Sequence, residues 1–153
     1  MIIVTLVSIV ILCYACYRWL AREIEVAITV RQYRLTASAD QISAAFRDAV
    51  ARFGWALVDS ARTGYPGEII AASPQGGIRP RIVCEVGPDS AGAREVRIGL
   101  NGDSIDNIGR SSALGGMTGA FLEARTIRHR QNAFEARLNE LDPQLLRLEP
   151  HQE

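Results

Sequence analysis

The chain has 153 residues, with 17 basic and 17 acidic side chains and a formal net charge of zero. That balance excludes a strongly basic nucleic-acid footprint, and the length suits one domain with a real core rather than two. All the basic residues are Arg and none is Lys, a bias that a GC-rich genome produces without any functional demand.

Residues 1–17, MIIVTLVSIVILCYACY, carry no charged side chain, and Trp19, Leu20 and Ala21 continue past Arg18. At a rise of ~1.5 Å per residue, about twenty residues match the ~30 Å hydrocarbon core of a bilayer. Residues 1–21 are therefore expected to form a transmembrane anchor helix. A cleaved signal peptide would want basic residues ahead of its apolar core and small residues at its end. Here no Arg or Lys precedes the core, and Tyr14, Tyr17 and Trp19 are bulky. A lipoprotein signal fails too: Cys13 follows Leu12, and Cys16 follows Ala15 but has Cys13 three before it.

Arg18, Arg22, Arg31 and Arg34 follow the span. Basic flanks stay cytoplasmic, which gives a single-pass protein with its body in the cytoplasm and its amino end outside. Tyr14, Tyr17, Arg18, Trp19 and Arg22 are the expected membrane-interface anchors, aromatic rings and cations at the headgroup level. Cys84 is the lone cysteine beyond the span, which suits a reducing compartment. Cys13 and Cys16 share a helical face. Surrounded by hydrocarbon and without further ligands, they read as small apolar side chains rather than a metal or redox pair. The span has no GxxxG pattern.

The body is expected over residues 22–142, with 143–153 as a tail. Residues 23–35 alternate: Ile24, Val26, Ile28 and Val30 share one face, and the pattern then slips a register to Tyr33 and Leu35. This predicts a strand that starts almost at the membrane, with a bulge near Arg31–Gln32. Ser38 and Gln41 form a capping box, and Ile42, Ala45, Phe46, Ala49, Val50 and Phe53 recur at helical spacing. The helix predicted over 39–53 ends at Gly54 as a left-handed cap.

Residues 55–58, 68–72, 80–87 and 95–100 read as four further strands. Turns rich in Gly and Pro separate them at 63–67, 73–77 and 88–93. Their short connections favour antiparallel pairing. A long helix is predicted from Ser111 or Ser112 to Leu141, along a seam of Leu114, Met117, Phe121, Ala124, Ile127, Gln131, Phe134, Leu138 and Leu141. Asp142-Pro143 ends it.

The sum is an α+β domain behind a transmembrane helix. Its antiparallel sheet of about five strands carries two helices on one face, in the order β-α-β-β-β-β-α.

Chemical motifs are weak. Asp103 and Asp106 sit in the polar loop 101–107, which lacks the oxygen spacing of an EF-hand. Gly109-Arg110-Ser111-Ser112 fails as a phosphate loop, because Ser104 stands where Gly is needed and Arg110 where Lys is needed. Ser111, Gly115 and Gly119, and likewise Ser112, Gly116 and Ala120, are spaced by four. Glycine inside a helix costs near 1 kcal/mol relative to Ala, so this small-residue surface calls either for close packing, on the sheet or on a partner, or for a helix that starts later, near Thr118. Ser112, Gly115, Gly116, Gly119 and Ala120 are the candidate partner-docking residues. Arg125, Arg128, His129 and Arg130 could meet anionic lipid, but Glu123, Glu135 and Glu140 nearby favour a salt-laced surface. His129 and His151 lie in no catalytic pattern, and Cys84 falls in a strand core where a thiol is inert.

These readings lead to the expectation of a non-catalytic, membrane-anchored accessory or assembly subunit of a larger complex. Its partners would be other membrane subunits and a bilayer, with no cofactor, no metal and no nucleic acid. The alternative is a tethered module that binds a lipid or small ligand between sheet and helix.

Overall fold

The computed structural model describes residues 2–58, 68–72, 81–100, 104 and 117–148. Helix α1 spans Ile2–Ile28, α2 spans Ala39–Ala51 and α3 spans Met117–Leu141. The strands are β1 (Arg31–Leu35), β2 (Ala56–Val58), β3 (Glu68–Ala72), β4 (Arg81–Ser90), β5 (Ala93–Leu100) and β6 (Leu146–Leu148). They form one antiparallel sheet in the order β2-β3-β4-β5-β1-β6. Among the described residues the architecture is α+β, with three helices and an antiparallel sheet of six strands where about five were expected.

Two expectations about which elements form need correction. Residues 23–28 are helical, not the first half of a strand. Extending an existing helix fixes one residue per new hydrogen bond, whereas a new strand needs a partner. Ile24, Ala27 and Ile28 are spaced by three and four. Ala27 is fully buried, and Ile24 and Ile28 pack against the core. The register slip near Arg31 is the helix-to-strand junction, closed by Thr29, whose N–H and hydroxyl both donate to the Glu25 carbonyl. The second correction is β6, which lies inside the expected tail and pairs with β1 at Gln32–Leu148 and Arg34–Leu146.

Local signals set the remaining ends. Ser38 Oγ accepts from Gln41 N–H, and Gln41 Oε1 accepts from Ser38 N–H, so the capping box is complete. At the other end Gly54 has φ +71°, its N–H donates to Ala51, and Trp55 N–H donates to Val50. That is the paired bonding of a Schellman cap. The turn expected over 88–93 is shorter. The strands run on through an irregularity between Val86 and Asp89, and reverse at Ala91-Gly92, with φ of 55° and 75°.

One face of the sheet carries Tyr33, Leu35, Ile82, Cys84, Val96, Ile98 and Leu100, all buried. Helices α2 and α3 cover it through Ile42, Phe46, Val50, Ile127, Phe134 and Leu138. Phe46 meets Phe134 edge to face, with centroids 5.4 Å apart. Each such fully buried side chain contributes roughly 1.5–3 kcal/mol. On the other face of the sheet Arg34 pairs in register with Glu95, and Glu85 with Arg97.

Candidate functional site

Helix α1 has two halves with different surroundings. In the first, Leu6, Val7, Ile9, Val10, Ile11, Leu12, Tyr14 and Tyr17 are each more than half exposed. In the second, Ala27 is fully buried and Ile24 and Ile28, partly buried, pack against the domain core. Among the described residues this is one helix long and apolar enough to cross a membrane, over Thr5–Ile28. Tyr14, Tyr17, Arg18, Trp19 and Arg22 are all exposed along it. Cys13 and Cys16 are exposed free thiols. Among the described residues no group of three or more His, Cys, Asp or Glu side chains could hold a metal ion.

Helix α3 packs beside the second half of α1, and the two run parallel. Trp19 meets Phe121 with ring centroids 5.1 Å apart. Further along, Arg128 pairs with Glu23, and Gln131 Nε2–H donates to the Ala27 carbonyl at 3.3 Å. That carbonyl belongs to the last turn of α1, where main-chain acceptors lack helical partners. Gln131 is fully buried, so a polar member of the expected apolar seam caps a neighbouring helix.

A polar groove of about 400 Å³ opens where α1, β1, β6 and α3 converge, lined among others by Arg31, Arg128, Asn132, Glu135 and Arg147. Arg31 is only 6 % exposed. Its guanidinium donates to Asn132 Oδ1 at 2.8 Å and to Glu135 Oε2 at 2.9 Å. Tyr33 Oη donates to the same carboxylate oxygen at 2.9 Å, and Arg147 approaches the other at 3.5 Å. Burial, then the hydrogen bond to Glu135 and its charge, push the Tyr33 hydroxyl up to about 12. The cluster thus ties β1, β6 and α3 around one carboxylate.

Sequence reading did not single out this cluster. Two signals carried it. Arg31 has the same strand parity as the inward-facing Tyr33 and Leu35, and Arg128, Asn132, Glu135 and Asn139 make a polar stripe at three- and four-residue steps.

Ala120 is fully buried in the core, and Gly119 lies in the first turn of α3. Ser112, Gly115 and Gly116 lie outside the described residues, as do Asp103, Asp106 and His151. Arg130 stacks over Phe53 at 4.3 Å and over Trp55 at 5.2 Å, which clamps α3 to the end of α2; burial lowers its pKa. Cys84 is buried, and burial first and the charge of Glu85 second raise its thiol far above the reactive range. Burial likewise raises the Glu123 carboxyl. No protein-family model matches the chain, and no curated protein is significantly similar to it.

Proposed function

We propose that this chain is a non-catalytic, single-span accessory or assembly subunit of a larger membrane protein complex. It would hold a small α+β domain at the membrane surface. One observation carries the reading: a single helix is an exposed apolar shaft at one end and part of the domain core at the other. Exposed apolar surface costs roughly 25 cal/mol per Å² in water, and a bilayer removes that cost. A shaft rooted in the core through Ile24, Ala27 and Ile28 would hold the domain at a set distance from the membrane. Arg18 and Arg22 flank the apolar stretch on the domain side, which supports a cytoplasmic domain and an amino end outside. Of the five small residues expected to dock a neighbouring subunit, Ala120 is withdrawn because its side chain is fully buried, and Ser112, Gly115, Gly116 and Gly119 are kept as the proposal.

The test is copurification of the tagged full-length chain from its native membrane in a mild detergent. Stoichiometric membrane partners are the expected result. A chain that runs alone and monomeric would defeat the subunit reading.

The groove favours a second reading, a membrane-tethered module for a small polar ligand. Arg31 and Arg147 share the single carboxylate of Glu135, while Arg128 is paired with Glu23, which leaves one excess positive charge at the groove, a charge that suits an anionic group. Native mass spectrometry of the same preparation separates the two readings: a monomer carrying a small anionic ligand supports the module.

A further inference from the structure

The parallel packing of α1 and α3 sets the depth of one helix by the other. Trp19 lies beside Phe121, Glu23 beside Arg128, and Ala27 beside Gln131. At ~1.5 Å per residue, Met117 then lies about 6 Å beyond Phe121 on the shaft side, level with the region of Ala15. The first turns of α3 are thus at the depth where the uncharged stretch of α1 gives way to Arg18 and Arg22.

The exposed surface of α3 changes character along the same axis. Leu122 is 57 % exposed although it is a large apolar side chain. Arg125, on the same helical stripe and ~4.5 Å further from the shaft end, is exposed and lies at the level of Arg22. His129 follows one turn later and is also exposed. Apolar, then cationic, is the order met by a helix leaving the acyl–headgroup boundary through the phosphate layer. Glu123 lies on the neighbouring strip and is partly buried, and its carboxyl is already held above its usual range.

We infer that α3 is a second membrane-contacting element. Its amino-terminal turns, through Leu122, sit in the interfacial layer of the leaflet that α1 exits, with Arg18, Arg22 and Arg125 at the lipid phosphates. This rests on the membrane reading of α1 and sharpens it. A span alone leaves a domain free to swing, whereas two helices meeting the bilayer side by side fix its tilt. The occupant of the Leu122–Arg125 surface is the bilayer itself. Leu122 directly follows Phe121, which stacks on Trp19 of the shaft, and Arg125 lies at the depth of Arg22.

The test uses the full-length chain with Cys13→Ser and Cys16→Ser, leaving the buried Cys84 in place. It is reconstituted in phosphatidylcholine vesicles with a minority of phosphatidylglycerol. An environment-sensitive fluorophore is placed on Val10→Cys, Leu122→Cys or Leu141→Cys, three exposed positions. Quenching by lipids that carry a nitroxide, either near the headgroup or deep on the acyl chain, is compared with quenching by aqueous iodide. The expected result is several-fold stronger lipid quenching than iodide quenching at positions 10 and 122. Position 141, ~28 Å further along α3, should answer to iodide alone. If position 10 is lipid-quenched while 122 behaves like 141, the seating of α3 is overturned and the span stands. If position 10 itself is open to iodide and blind to the lipid quencher, the membrane reading fails and takes this inference with it.

Discussion

Arg31 and Glu135 form a 2.9 Å ion pair in which the guanidinium is almost completely withdrawn from water. The pair joins the first residue of β1 to the carboxyl-terminal half of α3. A buried pair is weak evidence of net stabilisation, because desolvation of both charges opposes their attraction. Removing one partner is a different matter, since the other is left buried and uncompensated. Glu135→Ala strips Arg31 and Arg147 of their carboxylate and Tyr33 of its acceptor, and leaves Arg31 only Asn132. The expected loss is about 3–5 kcal/mol, measured by denaturant unfolding in detergent. Arg31→Met combined with Glu135→Leu should recover most of it. A single Glu135→Ala within about 0.5 kcal/mol of the parent would show the pair to be dispensable.

Burial of Tyr33, and after it the same carboxylate, shape the alkaline limit. Tyr33 is raised from 10.0 to about 12 in the folded chain. Between those values the unfolded chain has released its phenolic proton and the folded chain has not. Stability from this group is therefore complete below pH 10 and declines as pH rises through about 12. Tyr33→Phe should flatten the fall in unfolding free energy over that window. An unchanged slope would mean that Tyr33 ionises in the fold as freely as in a peptide.

Asp142 governs the other limit and the last strand. Its carboxylate accepts from Thr36 N–H at 2.8 Å, Thr36 hydroxyl at 3.0 Å and Gln144 N–H at 2.9 Å. The main-chain bonds from Thr36 and Gln144 hold its pKa below the usual 3.8. A depressed carboxyl gives stability that is present above the unfolded pKa and lost as pH falls through the folded one. Asp142→Ala should therefore destabilise the parent at neutral pH and flatten its acid limb. Amide exchange gives a local readout: Arg147 and Leu148 should lose protection before the β4–β5 pair does. Equal loss throughout would deny Asp142 a special hold on β6.

How far the fold was readable depends on the range of the forces involved. The capping box at Ser38 and the Gly54 cap are local, so a few residues state them completely. The seam from Phe121 to Leu138 is periodic and was readable for that reason. β6 was not: three residues, Leu146 to Leu148, carry no strand pattern of their own, and Asp142 brings them to β1 through contacts with Thr36. Residues 24–28 were ambiguous because Ile24 and Ile28 fit both a period of two and a step of four. The groove was hidden because its members come from residues about a hundred positions apart, and because Glu135 looks on sequence like one more solvated carboxylate.

The turn at Ala91 gives a test of local strain. Ala91 has φ 55°, a region in which an L-residue costs roughly 1–2 kcal/mol. The neighbouring Gly92 has φ 75°, and positive φ at both central residues is what a two-residue type I′ hairpin demands. Asp89 Oδ1 accepts from Gly92 N–H at 3.1 Å and holds the turn in place. Ala91→Gly removes the steric cost but adds freedom to the unfolded chain, worth roughly 0.5–1 kcal/mol against it. The strain outweighs the entropy, so the net gain should be about 0.5–1 kcal/mol. Ala91→Asn tolerates the same backbone with less unfolded-state freedom, and should gain at least as much. In thermal unfolding of the full-length chain this is a rise of about 1–4 °C in Tm. A fall with both variants would mean that the Ala91 methyl group contributes more than its backbone strain removes.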